Sequence, residues 1–193
     1  KYEYATKDDI KDLSSTVNSK DYTATFVRNS SVTDRGVTFN ENEPIYKDGG
    51  IEVFKSLNET LQVPNSVLNL TEGTISIQVE PTSLSNNSLI DGGGILIETI
   101  NSGQVKATVG GVTIQSSKKI KENTFNKITI KWSTNSKVLC VMIDNKVDNV
   151  TDYISYTGTI SETIKLSTIV DSIIKDLYFV DKPLPTYRVK EEL

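Results

Sequence analysis

Between Gly73 and Val79 the side chains alternate without a break. Ile75, Ile77 and Val79 fall to one side, and Thr74, Ser76 and Gln78 to the other. A period of two puts neighbouring side chains on opposite faces of a strand, so this segment predicts a half-buried strand with one wet face. A helix, with its period of 3.6, could not sort those residues this way. The pattern returns in short segments divided by turn residues: Tyr22 to Val27, Gly50 to Phe54, Thr60 to Val63, Gly94 to Ile100, Gln104 to Val109 and Gly111 to Gln115. It continues through Asn126 to Trp132, Lys137 to Ile143, Ile164 to Ile169 and Ile173 to Val180. Many short strands with regular turns predict an all-β sandwich or barrel, and clean alternation predicts antiparallel sheets. Asp144-Asn145 reads as a hairpin turn, because both residue types tolerate a positive φ. Gly92-Gly93-Gly94 precedes a strand, whereas a phosphate cradle opens a helix, so it reads as a bent loop.

The first twenty residues differ. Thr6 can cap a helix whose first turn holds Asp8 and Asp9, and Ile10, Leu13 and Val17 follow at spacings of three and four. Asn18-Ser19 would end it. The expected organisation is a helical stalk or linker over 1–21 and a β-sandwich over 22–193. The narrow apolar seam suits a coiled coil, which predicts a homotrimer if the stalk continues upstream and a monomer if it does not. The chain opens at Lys1 with no leader pattern, and is expected to be a fragment or processed product of a longer protein.

Composition narrows the function classes. Net charge is −4 with acids and bases interspersed, which argues against a nucleic-acid partner. Lys118, Lys119 and Lys121 form the one basic cluster and read as a solvated turn rather than a phosphate site. The longest apolar run, Val138 to Ile143, is strand-length and far short of the ~18 residues of a membrane span, so no membrane insertion is expected. There is no histidine, which excludes Ser-His-Asp and Cys-His machinery and every histidine metal site. The single cysteine, Cys140, lies inside that apolar run and reads as a buried, inert thiol, with no intramolecular disulfide possible. The Asn-x-Ser/Thr triplets at Asn58, Asn69 and Asn149 arise by chance in a chain so rich in Asn, Ser and Thr. Usage heavy in Lys, Asn and Ile suggests a low-GC bacterial or phage genome.

Several segments line up in order with one family. Asp48 to Val53 through Glu59 to Pro64 resembles the opening of laminin-G-like domains of the concanavalin A-like lectin/glucanase superfamily. Gly73 to Pro81 resembles that family's next strand. Thr124 to Ile130 is similar to its Trp-x-x-Val strand, with Phe125 where Trp is usual. Val141 to Lys146 resembles its Tyr-Val-Asp-Gly-Lys hairpin, with Asn145 in place of Gly. Ile174 to Leu184 resembles its closing strand and tail, with Lys175 where an acid often stands. The resemblance covers about Tyr22 to Leu193 and implies a jelly-roll sandwich of two curved sheets. Lys175 puts in doubt any role of the usual acid, including help to a calcium ion.

Glucanases of that superfamily carry a Glu-x-Asp-x-(x)-Glu strand whose carboxylates sit about 5–5.5 Å apart for a retaining mechanism. No such strand occurs here, and Glu98 stands alone in its strand, so no enzyme is expected and no catalytic residue is assigned. Asp91, Asp144, Asp148 and Asp152 could offer oxygens to calcium, but they lack the spacing of a dedicated loop and read as solvated turn acids. No cofactor or metal is expected. Trp132, in phase with Ile128 and Ile130, reads as core. Tyr153 and Tyr156, near Asn149 and Asp152, could present rings and hydrogen bonds to a sugar, because an aromatic ring stacks on a pyranose face. Amphipathic packing is the competing reading of both tyrosines. The expected ligand-binding residues are therefore Asn149, Asp152, Tyr153 and Tyr156. The expected function is non-catalytic binding of cell-surface glycan, at the tip of a phage tail or bacterial surface fibre, on the extracellular or virion surface. The alternative is a structural or protein-interaction module with no sugar ligand. A concave aromatic patch would favour the first, and a face filled by Lys and Thr the second.

Overall fold

The computed structural model describes residues 25–28, 45–53, 59–85, 87–154, 164–166, 171–187 and 189. The stalk expected over 1–21 lies outside them. Fourteen strands occur among the described residues. They are β1 (Thr25–Arg28), β2 (Ile45–Lys47), β3 (Gly50–Val53), β4 (Glu59–Val63), β5 (Glu72–Pro81), β6 (Asn87–Gly92) and β7 (Ile95–Ile100). Then come β8 (Gln104–Val109), β9 (Val112–Lys119), β10 (Asn126–Ser133), β11 (Val138–Ile143), β12 (Lys146–Asp152), β13 (Ile164–Leu166) and β14 (Ser172–Val180). A single 3-10 turn spans Asn65–Val67. No helix among the described residues is long and apolar enough to cross a membrane.

The strands form two seven-stranded antiparallel sheets. Sheet one runs β1-β4-β13-β6-β7-β8-β9, and sheet two runs β12-β11-β10-β5-β14-β3-β2. The alternation that predicts β5 sets its register. Ile75 stands opposite Ile130 and Ile77 opposite Ile128, while Val79 stands opposite Ile174 on the far side, so all six side chains share the inner face. From sheet one, Leu61, Val63, Ile95, Ile97, Val105, Ala107 and Val109 meet them in a single core. Trp132 is 1% exposed and belongs to that core, as its phase requires, with its indole N–H donating to the Asn69 carbonyl at 3.1 Å. Its cross-strand partner is Gly73, where an added Cβ would lie 2.5 Å from the ring, so only glycine admits the indole. Asp144 and Asn145 close the β11–β12 hairpin at φ 50° and 62°.

The outer faces differ. On sheet one, Glu98 pairs with Lys106 at 3.0 Å, the Thr108 and Thr113 hydroxyls share a hydrogen bond of 2.9 Å, and Gln115 donates to Gln104 at 2.9 Å. On sheet two, the segment after β14 lies across β5, β10 and β11. Thr74 Oγ1 donates to the Lys182 carbonyl at 2.7 Å and accepts from the Leu184 N–H at 2.9 Å. The Lys131 ammonium donates to Thr186 Oγ1 at 2.9 Å and to the Leu184 carbonyl at 3.3 Å. Beneath the segment, Cys140 and Met142 pack on Val189, with Val138 and Leu184 at the margin. Burial pushes the Cys140 thiol above its ordinary pKa, an effect that the charge of Lys131 partly offsets.

The free edges β9 and β12 meet across the sandwich. The register of β12 shifts between Asn149 and Val147, which leaves Asp148 outside the ladder. Its carboxylate accepts the backbone N–H groups of Ser117 and of Lys118, the latter at 3.1 Å. One edge of each sheet is thereby tied to the other, which covers part of a template for pairing with foreign chains, while β1 and β2 form the opposite edges.

Candidate functional site

The polar stretch from Asn149 to Tyr156 is not the open loop that its composition suggests. It continues β12 as far as Asp152, and this separates the four expected ligand residues. Tyr153 is fully buried, and its hydroxyl donates to the Leu70 carbonyl. Its ring fills core and has no face to offer a sugar, so packing, the competing reading, holds for it. Asn149 is exposed, but both its polar atoms are engaged: Nδ2 donates to the Gln115 carbonyl at 2.8 Å and Oδ1 accepts from the Val150 N–H at 2.8 Å. It works as a tie between β12 and β9. Tyr156 lies outside the described residues. Asp152 alone is both exposed and beside a cavity.

That cavity holds about 530 Å³ and is lined, among the described residues, by Thr134, Lys137, Asp152 and Ile154. Its size falls in the range of about 300–1,000 Å³ typical of small-molecule sites. Thr134 and Lys137 come from the turn joining β10 to β11. Lys137 sits at φ 53°, a backbone region that a non-glycine residue enters at a cost. Surrounding bonds hold it there. Its N–H donates to the Thr134 carbonyl at 3.3 Å, and its own carbonyl accepts from the Tyr153 N–H at 3.0 Å. The N–H and hydroxyl of Thr134 both donate to the Thr71 carbonyl, at 2.8 and 2.9 Å. Thr71 is fixed in turn, because Asn69 Oδ1 accepts the N–H groups of Thr71 and Glu72, each at 2.9 Å. The site is therefore a rim, pinned at its turn, that carries a carboxylate, an ammonium, a hydroxyl and an apolar side chain, Ile154, that is 75% exposed. Such a set can accept and donate hydrogen bonds to a polyhydroxylated ligand while Ile154 covers an apolar patch.

A smaller cavity of about 230 Å³ lies on the other side of the same turn. Lys131, Trp132, Ser133, Ser136, Val138, Pro183, Leu184 and Pro185 line it.

Thr134, Lys137 and Ile154 escape a sequence reading because they carry no motif. The signal available was a polar stretch, Thr134 to Lys137, between two apolar strands, and a lone isoleucine beyond the end of a polar strand.

Glu98 is held by Lys106 on the outer face of sheet one and faces no second carboxylate across its strand pair. Of the acids weighed as calcium donors, Asp148 is engaged by β9 and Asp144 Oδ1 accepts the Lys127 N–H at 3.3 Å. No group of three or more metal-ligating acid, cysteine or histidine residues occurs among the described residues.

No protein-family model matches the chain, and no curated protein matches it in sequence. Solved structures do. Domain 4 of AbnA, a GH43 extracellular arabinanase from Geobacillus stearothermophilus solved in complex with arabinotriose, superposes with a TM-score of 0.63 at 14% identity, over 93% of this chain and 92% of that one. The binding domain of botulinum neurotoxin DC in complex with rat synaptotagmin II gives 0.65 at 15% identity, over 96% of this chain and 50% of that one. A botulinum neurotoxin type C structure, described by its cell entry's dependence on two ganglioside molecules, gives 0.65 at 14%, again over 96% and 50%. The chain spans about half the length of the neurotoxin structures and nearly all of the arabinanase domain. At these identities the likeness establishes the two-sheet sandwich fold that these proteins share.

Proposed function

We propose that this chain is a non-catalytic carbohydrate-binding domain that engages cell-surface glycan at the rim cavity formed by Thr134, Lys137, Asp152 and Ile154. The observation that carries the reading is the cavity itself: polar groups of both signs and an exposed apolar side chain, with Thr134 and Lys137 set on a turn pinned from two sides. The fold adds support, since it is shared with an arabinanase domain that holds arabinotriose and with a toxin domain tied to ganglioside. Seven strands in each sheet, with β14 inserted between β5 and β3, accord with the laminin-G-like jelly roll that the sequence resembles. In that reading the domain sits on the extracellular or virion surface, at the tip of a phage tail or bacterial surface fibre, and copies join into a trimer through residues 1–21 only where the stalk continues upstream.

A second reading, a structural or protein-interaction module with no sugar ligand, is favoured by one observation. The outer face of sheet one presents Glu98, Lys106, Thr108, Thr113 and Gln115, bonded largely to one another, with no aromatic ring among them. A glycan array probed with the intact chain separates the two. Binding to a defined glycan that falls by about tenfold or more in Asp152→Ala supports the first reading. A silent array supports the second.

A further inference from the structure

The two cavities flanking the β10–β11 turn are close neighbours. Val138 lines the smaller and Asp152 the larger, and these residues are register partners across β11 and β12. Antiparallel register partners lie about 4.5–5.5 Å apart at Cα. The turn alternates between them: Thr134 and Lys137 face the larger cavity, Ser133 and Ser136 the smaller. At about 230 Å³ the smaller cavity falls below the range of about 300 Å³ and upward that takes a free small molecule. Alone it holds a fragment of something longer.

We infer that the two cavities are adjoining subsites for one oligosaccharide of three or more units, which straddles the β10–β11 turn. The inference rests on the glycan-binding reading above and adds the length of the ligand and a second contact surface. The larger cavity selects, through Asp152, Lys137 and Thr134. The smaller holds the end unit by shape, against Val138, Pro183, Leu184 and Pro185. Its ammonium, Lys131, is committed to the Leu184 carbonyl and Thr186 Oγ1, so it braces the wall of the subsite.

Titration calorimetry of the intact chain tests this with two series: arabinose, arabinotriose and arabinohexaose, and galactose, lactose and a ganglioside pentasaccharide. Affinity is expected to rise about tenfold or more from the single sugar to the longer members of one series. The exposed position Ser136 opens onto the smaller cavity, and Ser136→Phe is expected to abolish the rise while leaving binding of the single sugar intact. Ser136→Gln, a smaller intrusion, replaces it if Phe lowers the melting temperature. Equal affinity along the series, or a rise that survives both variants, overturns the two-subsite inference and leaves the glycan reading standing. No binding to either series or to a glycan array overturns both.

Discussion

Lys175 holds its ammonium 3.6 Å from the centroid of the Phe125 ring. These are two of the three positions, Asn145 being the other, at which the sequence differs from the laminin-G-like pattern that it resembles. The two side chains face each other, so the Lys175 cation rests on the Phe125 ring. Both residues are partly exposed, and a cation–π contact in such a place is worth about 0.5–1 kcal/mol. Phe125→Leu and Lys175→Met should each lower stability, and the double variant should lose less than the sum. A double-mutant cycle in urea measures the coupling, and additive losses would show that the contact contributes nothing.

Tyr153 and Asp152 are adjacent in sequence and opposite in role. Tyr153→Phe leaves the Leu70 carbonyl without that buried donor and should cost about 1–3 kcal/mol, with glycan binding unchanged. Asp152→Ala changes an exposed side chain, so stability should hold within about 0.5 kcal/mol while binding falls. Thermal melts and calorimetry on the two variants should give opposite results.

Asp148 joins the sheets' free edges through the N–H groups of Ser117 and Lys118. Hydrogen bonds to a charged acceptor are worth about 1.5–3 kcal/mol, and exposure to water keeps this pair at the lower end. Asp148→Ala should lower the melting temperature and also free two edge donors. Light scattering at rising concentration should then show self-association that the parent chain lacks. Unchanged scattering would mean that other features guard the edge.

Burial holds the Lys127 ammonium below its ordinary pKa of 10.5, and the charge of Asp176 partly offsets the shift. The folded chain therefore releases this proton at lower pH than the unfolded chain does. Between the lowered value and 10.5 the unfolded state carries more protons, so stability on account of Lys127 rises with pH. Below the lowered value both states are protonated and the contribution is constant. Lys127→Met should remove this rise. Denaturant titrations of parent and variant, from about pH 7 upward, should show a stability difference that grows in the parent's favour in that window and is flat below it.

The strands were legible wherever one face is wet and the other dry. The segment Gly73 to Val79 became the core of β5, and Asp144-Asn145 closed its hairpin as expected. Three strands, β2, β6 and β12, gave no such signal. In β6 the register slips between Ser88 and Ile90, so Leu89 and Ile90 are both fully buried and the alternation breaks. In β12 nearly every side chain meets water, because an edge strand held by one neighbour and two side-chain ties has almost no dry face. Composition left Tyr153 between packing and a sugar contact, and the end of the strand carries it into the core. Asp152 was legible because acids at strand ends are exposed. Lys137 and Thr134 were not, because only the folded turn brings them to Asp152.

The position of β14 between β5 and β3 has a consequence for the order of folding. β14 occupies residues 172–180, yet it is hydrogen-bonded on one side to a strand that begins at Glu72 and on the other to one that begins at Gly50. While the chain emerges from a ribosome, β3 and β5 wait with a strand-wide gap between them, and apolar residues such as Ile51 and Val79 wait with them. Closure must span about a hundred residues on one side and more on the other, and such distant pairings fold in milliseconds to seconds rather than microseconds. Nascent chains caught before β14 appears should be held by chaperones or lost to aggregation, so the yield of this domain in a cell depends on its last strand arriving in time.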